Sequence, residues 1–156
     1  MEHRSKQLHA EIDALIDQCN PAEIRFFYHH CYGVAKICAL LAMRRGVDPE
    51  IAYAAGLLHD IYQITARTTD DHAVKGAPVA EKLLRELGTY NDSEITQIVN
   101  AVARHSSKDE VQEPLDEIVK DADLLDHDLN AEDARIASRQ EKRYYAALAE
   151  LGCKIK

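Results

Sequence analysis

Apolar residues recur at intervals of three and four along almost the whole chain. Near the N-terminus Leu8, Ile12 and Ile16 follow this spacing, which places their side chains on one face of an α-helix. No stretch of the sequence alternates apolar and polar residues over a strand-length run rich in β-branched residues. The periodicity therefore predicts an all-α fold and argues against any sheet-based architecture.

Turn and capping residues divide this pattern into about seven helices. Gly46 and Gly88 are expected to end the second and fourth helices, because glycine adopts the left-handed backbone of a helix C-terminus. Asp48, followed by a proline, is expected to start the third helix, and Asp92 or Ser93 is expected to cap the fifth. The predicted helices cover about residues 8–19, 22–45, 49–65, 72–87, 93–105, 115–128 and 131–151.

Length and charge restrict the class of protein. With 156 residues, of which 46% are hydrophobic and 29% charged, the chain is expected to form a single domain over residues 1–156. The net charge of -8 argues against a protein that grips duplex nucleic acid by its phosphates. The longest apolar runs are far shorter than a membrane span, so no membrane partner is expected.

The cysteines and the N-terminus predict a cytoplasmic location. The four cysteines form no CxxC pair, and Cys31 and Cys38 lie in an apolar helical stretch where they are expected to be small buried hydrophobes. A reducing compartment suits this pattern. The first twelve residues carry charges and lack the apolar core of a signal peptide.

The eight histidines are the part of the composition that calls for a chemical explanation. His59 and Asp60 follow an apolar helix, and His30 shares a helical face with apolar residues, whereas His29 is the weaker candidate. Imidazole and carboxylate together suit a divalent transition metal such as Mn, Fe, Co, Ni or Zn. A third candidate is an aspartate of the KDADLLD segment, where periodicity leaves Asp121 and Asp123 open.

Each candidate has an ordinary structural explanation as well. A lone inward histidine is more often a hydrogen-bonded core residue than a ligand, and helical acidic residues are usually solvated. Gly33 and Gly56 lie one turn from His30 and His59. Since glycine costs about 1 kcal/mol inside a helix, its use there suggests that two helix backbones approach closely.

The order His30, His59-Asp60 and Asp123 resembles the HD superfamily of metal-dependent phosphohydrolases. The flanking segments HHCYGVAKICALLA, YAAGLLHDI and IVKDADLLD fit this likeness, which spans about residues 26–128. The family's "AD" element selects Asp123 over Asp121. The resemblance implies a helical bundle in which these four residues hold one metal ion.

Two further histidines resemble the two-metal branch of this superfamily. The segment from His72 to Ala80 and the later His105 are similar to elements of the family that hydrolyses diadenosine polyphosphates. That likeness implies that His72 and His105 bind a second ion and that Asp60 bridges the two. The alternative is that His72 caps the fourth helix and that His105 lies exposed at a helix end.

Other branches fit less well. Gln63 and Ile64 stand where some HD nucleotidases and (p)ppGpp hydrolases carry acidic residues. This makes a glutamate-assisted (p)ppGpp hydrolase a poorer fit. No Gly-Tyr-Pro follows His105, which disfavours a cyclic-dinucleotide phosphodiesterase of that type.

The resemblance implies hydrolysis of a small phosphorylated substrate, expected to be a nucleotide. A bound metal lowers the pKa of water from 15.7 to about 7, and Asp60 is the expected catalytic residue that orients this water or accepts its proton. Several basic residues near these motifs are candidate phosphate contacts, although an ordinary surface charge is the better explanation for any single one: Arg67, Lys75, Arg104, Lys108 and His127.

Two hypotheses compete with an enzyme. One is a catalytically degenerate HD domain that binds a metal or nucleotide, and the other is a helical interaction protein without metal. The segment from Arg135 to Tyr145 is rich in Arg, Lys and Tyr. It is expected either to cover the site or a partner, or to be an ordinary amphipathic helix. The sequence leaves open whether the chain forms an oligomer.

Overall fold

A computed structural model describes residues 2–129 and 140–153 of the chain. Within these ranges it contains α-helices and no strand, so the predicted all-α fold is confirmed. The helices are α1 (Glu2–Ile16), α2 (Pro21–Arg45), α3 (Pro49–Leu58), α4 (Ile61–Ala66), α5 (His72–Leu87), α6 (Asp92–Arg104), α7 (Pro114–Leu129) and α8 (Glu141–Glu150).

Most helix ends follow from the turn and capping residues. Gly46 and Gly88 end α2 and α5 with φ values of 69° and 64°, as expected for left-handed C-caps. The Asp48 carboxylate accepts hydrogen bonds from the backbone at the start of α3. Asn20 caps α2 in a capping box with Glu23.

The start of α6 differs from the prediction. The cap is Asn91, whereas Asp92 or Ser93 was expected. The Asn91 side chain accepts from the backbone N–H of Glu94 at 3.0 Å, and the Glu94 carboxylate accepts from the backbone N–H of Asn91 at 2.8 Å. This reciprocal pair satisfies two backbone donors, which a cap at Asp92 or Ser93 would not achieve with Glu94.

The predicted third helix is interrupted at residues 59 and 60. α3 ends at Leu58, and Asp60 has φ -105° and ψ 20°, outside the helical range, before α4 resumes at Ile61. Adjacent residues of a regular helix point about 100° apart. The interruption removes this constraint and allows the side chains of His59 and Asp60 to reach the same cavity.

The described helices share one hydrophobic core. The long helix α2 packs mainly against α3 and α7, and α6 closes the core beside α3 and α5. Cys31 and Cys38 are buried in this core, as predicted; Cys19 is buried against it, and Cys153 is exposed. The largest fully buried apolar side chains are Leu8, Ile12, Ile16, Leu41, Leu57, Leu58, Ile61, Ile64, Leu84, Ile98 and Ile118.

Gly56 confirms the expected close approach of two helix backbones. A Cβ atom at residue 56 would lie 2.8 Å from the Cα of Ala35 and 2.8 Å from the Sγ of Cys38. Gly33 serves a different purpose, because its missing Cβ leaves room for the side chain of Asp126. The first glycine therefore brings α3 onto α2, and the second admits a carboxylate from α7.

The C-terminal helix is held by charged groups. Of the helix predicted over residues 131–151, residues 130–139 lie outside the described ranges, and α8 forms the remainder. Arg143 on α8 donates to Asp121 and Glu117 at 2.6 and 2.7 Å, and Arg45 on α2 pairs with Glu150 at 2.8 Å. These ion pairs connect α8 to α7 and α2.

Among the residues that the structure describes, no helix has both the length and the apolar character needed to cross a membrane.

Candidate metal centre

Four of the predicted site residues meet where α2, the α3–α4 junction and α7 converge. The Nε2 atoms of His30 and His59 lie 3.1 Å apart. Asp60 Oδ2 is 3.5 Å from the His30 nitrogen and 3.3 Å from that of His59. Asp123 Oδ1 lies 3.3 and 3.7 Å from the same two nitrogens. The fold thus gathers four donor atoms from sequence positions 30 to 123 around one point.

The histidines of this cluster are oriented through their Nδ1 atoms. His30 Nδ1 lies 2.7 Å from Asp126 Oδ2, and His59 Nδ1 lies 2.7 Å from the carbonyl oxygen of Gly56. Both oxygens are acceptors, so each Nδ1 carries the proton and donates. The lone pairs of the Nε2 atoms then face the cluster, as they do in metal-binding histidines.

The spacing of the donor atoms fits a metal ion. Ligand bonds of roughly 2.1 Å in a tetrahedral site separate the ligand atoms by roughly 3.4 Å. The separations here run from 3.1 to 3.7 Å. Two nitrogen lone pairs directed at each other are unfavourable without a cation or proton between them. The donor set therefore suits a divalent transition metal.

A second cluster adjoins the first. His72, at the start of α5, and His105, at the end of α6, bring their Nε2 atoms within 3.1 Å of each other. Asp60 Oδ1 lies 3.3 and 3.5 Å from these two nitrogens. Nδ1 of His72 donates to the carbonyl oxygen of Thr69, and Nδ1 of His105 donates to that of Val102. His105 is buried, so the alternative of an exposed His105 is wrong.

Asp60 lies between the two clusters. Its Oδ2 atom faces His30 and His59, and its Oδ1 atom faces His72 and His105. Three-residue groups able to hold a metal occur on both sides of this carboxylate among the described residues. The arrangement of Asp60 is that of a carboxylate which can bridge two ions.

The pKa shifts of Asp60 and His105 favour the protonation states that bind a metal. Burial by itself would raise the pKa of Asp60, but His59, His105 and His30 outweigh it and hold that pKa well below its ordinary value. Burial lowers the pKa of His105. An ionised carboxylate and a neutral imidazole are the forms that bind a metal.

His30 is surrounded by negative charge. Burial would lower its pKa, but hydrogen bonds with Asp123, Asp126 and Asp60 raise the pKa above its ordinary value. The pKa of Asp123 is lowered, against its burial, mainly by the hydrogen bond with His30. Three carboxylates around one imidazole stabilise a positive charge there, whether it comes from a proton on His30 or from a bound metal ion.

Sequence reasoning missed two residues that touch these clusters. Asp126 contacts His30, and its position one turn after Asp123 was the available signal. Gln63 donates to Asp60 Oδ1 at 2.7 Å, so this amide contacts the carboxylate that an acidic side chain at position 63 would repel. Both contacts act on the orientation of predicted ligands.

The basic candidates are distributed unevenly around the clusters. A cavity of about 500 Å³ over the clusters includes Lys108 and His127 in its lining, and Lys108 Nζ lies 2.6 Å from Asp123 Oδ2. Arg67 pairs with Glu23 and Arg104 with Asp116, both at 2.8 Å, and neither lines this cavity.

Lys75 also lies outside the cavity lining. Its ammonium is 3.9 Å from Asp71 and 5.8 Å from the centre of the Tyr62 ring. A phosphate-binding role for Lys75, as for Arg67 and Arg104, stays a prediction.

A family model for the HD domain matches residues 27–128, about two thirds of the chain. The chain therefore belongs to the HD domain family, the class of metal-binding helical domain that the motif predicts. This confirms the resemblance seen in the sequence.

Several curated relatives, which share one name among themselves, extend the comparison. The chain is 37% identical over 97 residues to "Ribonuclease Y" of Clostridium kluyveri, an alignment that covers 62% of this chain and 17% of that protein. It is 31% identical over 122 residues to "Ribonuclease Y" of Lawsonia intracellularis, covering 76% and 22%. For "Ribonuclease Y" of Mycoplasma mycoides the values are 34% over 118 residues, covering 75% and 19%.

The chain thus spans about a fifth of the length of these relatives. No solved structure matches it significantly.

Proposed function

We propose that this chain is a metal-dependent phosphodiesterase that acts on nucleotide-type substrates and uses two divalent transition-metal ions. The observation that carries the proposal is the position of Asp60, whose two carboxylate oxygens face two separate histidine pairs. Two ions close together can act on both the attacking and the leaving oxygen of a phosphoryl transfer.

Six residues would hold the ions. His30, His59 and Asp123 would hold the first ion, His72 and His105 the second, and Asp60 would bridge them. When bound, Mn, Fe, Co, Ni or Zn supplies an activated water and polarises the phosphoryl oxygen.

The surrounding residues orient this donor set. Hydrogen bonds at Nδ1 hold each of the four histidines with its Nε2 facing inward. Gln63 orients the Asp60 carboxylate through its amide. Asp60 in turn would orient the attacking water.

Lys108 is suited to the substrate phosphate. Its ammonium contacts the oxygen of Asp123 that points away from His30, and it lines the cavity over both clusters. A cation at this position lowers the cost of bringing a phosphate dianion or diester beside the carboxylates of Asp60, Asp123 and Asp126. We expect Lys108 to contact the phosphate together with His127.

The substrate class is supported by the relatives rather than by the cavity alone. The sequence predicts a small nucleotide, whereas the shared name ribonuclease favours a phosphodiester of RNA. Both substrates contain the same phosphoester chemistry. We therefore propose a ribonucleotide phosphodiester as the substrate.

The alternative of a non-catalytic binding domain has one structural observation in its favour. Gln63 hydrogen-bonds to Asp60 Oδ1, the oxygen that would face the second ion. A carboxylate oxygen has two lone pairs, so the second ion would lose this ligand only if the amide occupied the lone pair directed at His72 and His105.

One experiment tests the proposal and separates it from this alternative. The protein is loaded with Mn²⁺, its metal content is measured by mass spectrometry, and hydrolysis of bis(4-nitrophenyl) phosphate and of a short RNA is assayed. We expect about two ions per chain, hydrolysis by the unmodified protein, and no hydrolysis by the Asp60→Asn variant. Asp70→Asn, the same change at an exposed position ten residues later, is the matched control and should leave activity unchanged.

Bound metal without hydrolysis of either substrate would support the binding domain and overturn the enzyme. Absence of stoichiometric metal would overturn both and leave a helical interaction protein.

A further inference from the structure

A groove of about 830 Å³ lies beside the histidine and aspartate clusters. It is formed by the start of α2 and the end of α7, and it shares Phe26, His30 and His127 with the lining of the cavity over the clusters. Its lining consists of Pro21, Ala22, Arg25, Phe26, His29, His30, Asp126 and His127. A ligand whose reactive group lies at the clusters can therefore extend into this groove.

An exposed aromatic ring marks the boundary between the groove and the clusters. Phe26 is 48% exposed, although it lies one helical turn before the buried His30. The two rings stack with centroids 5.3 Å apart and an angle of 23° between their planes. Solvent exposure of a phenyl ring is unfavourable, and a flat ligand stacked on the ring would remove its apolar surface from water.

The exposed polar groups of the groove favour an anionic ligand. Arg25, His29 and His127 are exposed in the lining, whereas the carboxylate of Asp126, which also belongs to the lining, is buried and accepts a hydrogen bond from His30. This group of basic side chains occurs on a chain with a net charge of -8. A flat ring next to a guanidinium, beside a site suited to phosphate chemistry, matches a nucleotide with its base and its backbone phosphate.

Stacking on Phe26 also restricts which form of nucleic acid can bind, paired or unpaired. The face of a base is covered by its neighbours in a duplex, so a protein ring can stack only on a base that has left the stack. The groove therefore suits an unpaired nucleotide.

We propose that Phe26 is a stacking platform for a nucleobase next to the scissile phosphodiester, so that the substrate is a single-stranded oligonucleotide. This inference rests on the proposed function, because it takes the clusters as the place of hydrolysis. Arg25 and the two exposed histidines hold the flanking backbone phosphates.

The test compares two oligonucleotides and three variants of the metal-loaded protein. One substrate is a single-stranded RNA decamer, and the other is a decamer with the same ribose-phosphate backbone and no bases. Phe26→Leu keeps an apolar side chain without a ring, and Phe26→Trp keeps a ring. Leu40→Ala is the control, since Leu40 is a 53% exposed apolar residue of the same helix that does not line the groove.

We expect kcat/KM for the RNA decamer to exceed that for the abasic decamer by about tenfold or more in the unmodified protein. Phe26→Leu should remove most of this ratio, Phe26→Trp should retain it, and Leu40→Ala should leave it unchanged. The same RNA in a perfect duplex should be cleaved at least about tenfold more slowly than the single strand.

Other results separate this inference from the proposed function. An equal loss on both decamers in Phe26→Leu, or equal cleavage of duplex and single strand, overturns the stacking platform and leaves the phosphodiesterase. Hydrolysis of bis(4-nitrophenyl) phosphate without cleavage of either decamer overturns the platform and the ribonucleotide substrate, and leaves the phosphodiesterase chemistry. Failure of the metal-loaded protein to hydrolyse any of these diesters overturns the proposed function, and the platform with it.

Discussion

His30 and Asp126 form a buried hydrogen bond of 2.7 Å between Nδ1 and Oδ2, and the Asp126 carboxylate reaches this position across the vacant side of Gly33. A Cβ atom at residue 33 would overlap the Asp126 carboxylate. A single hydrogen in place of a methyl group thus admits the residue that orients a predicted metal ligand.

The first prediction concerns this hydrogen bond. Asp126→Ala removes the acceptor of the His30 Nδ1 proton, and Gly33→Ala displaces the carboxylate. Each change should weaken metal binding by roughly 10- to 100-fold, the usual effect of losing an outer-shell partner of a ligating histidine. Metal titration followed by calorimetry measures this affinity.

A double-mutant cycle provides the control for this first prediction. Because Asp126→Ala vacates the space, adding Gly33→Ala to it should cost almost nothing further. Additive losses would show that Gly33 acts in another way.

The second prediction concerns the contact of α3 with α2. Gly56→Ala would place a Cβ 2.8 Å from the Cα of Ala35, and backbone cannot yield as a flexible side chain can. We expect a loss of roughly 1–3 kcal/mol in the free energy of unfolding, measured by urea denaturation. Gly76→Ala is the control, because its Cβ would meet only side-chain atoms at 3.3 Å or more. Similar losses in both variants would contradict this explanation.

The third prediction is a dependence of α8 on pH. Burial would raise the pKa of Glu117, but Lys120 and Arg143 outweigh it and lower that pKa, while Arg45 lowers the pKa of Glu150. A carboxyl group whose pKa is lowered on folding stabilises the folded state at pH values above its ordinary pKa of about 4.5. This stability is lost as the pH falls through the pKa of the folded state. Hydrogen exchange of α8 amides, corrected for the intrinsic rate, should therefore show weaker protection below about pH 4.5 than at pH 7.

Arg143→Ala should produce the same loss at neutral pH. Removing this guanidinium takes one charged hydrogen-bond donor from the buried Asp121, which keeps Arg45, and one from the partly buried Glu117, which keeps Lys120, at a cost of roughly 1–3 kcal/mol. Arg85→Ala, which breaks an exposed pair with Glu81, is the matched control and should change protection little. Unaltered α8 exchange in Arg143→Ala would refute the role of the ion pairs.

The fourth prediction separates the two clusters. His72 contributes to the second cluster alone, so His72→Ala should reduce the metal content from about two ions per chain to about one while leaving the first site filled. His9→Ala provides a control, since that histidine bonds to the Tyr53 hydroxyl, on α3, instead. Retention of two ions in His72→Ala would contradict the assignment of His72 to the second cluster. Metal analysis by mass spectrometry gives the count.

Helix boundaries were the part of the fold most open to sequence reasoning. Gly46, Gly88 and Asp48 act locally, because a left-handed C-cap or a side-chain N-cap depends only on residues within one turn. The predicted cap of α6 lies one or two residues too late in the chain because Asn91, Asp92 and Ser93 are all good capping residues. The choice among them depends on which one pairs with Glu94.

The sequence by itself determined the helical class, the burial of the cysteine side chains at 31 and 38, and the set of candidate ligands, since periodicity and residue chemistry are local properties. Only the tertiary structure decided which groups meet. The interruption at Asp60, the reach of Asp126 across Gly33 and the shared lining at Phe26 arise from the packing of α2 against α3 and α7. Contacts between residues almost a hundred positions apart in the sequence depend on how the helices cross, and no local sequence pattern determines that crossing.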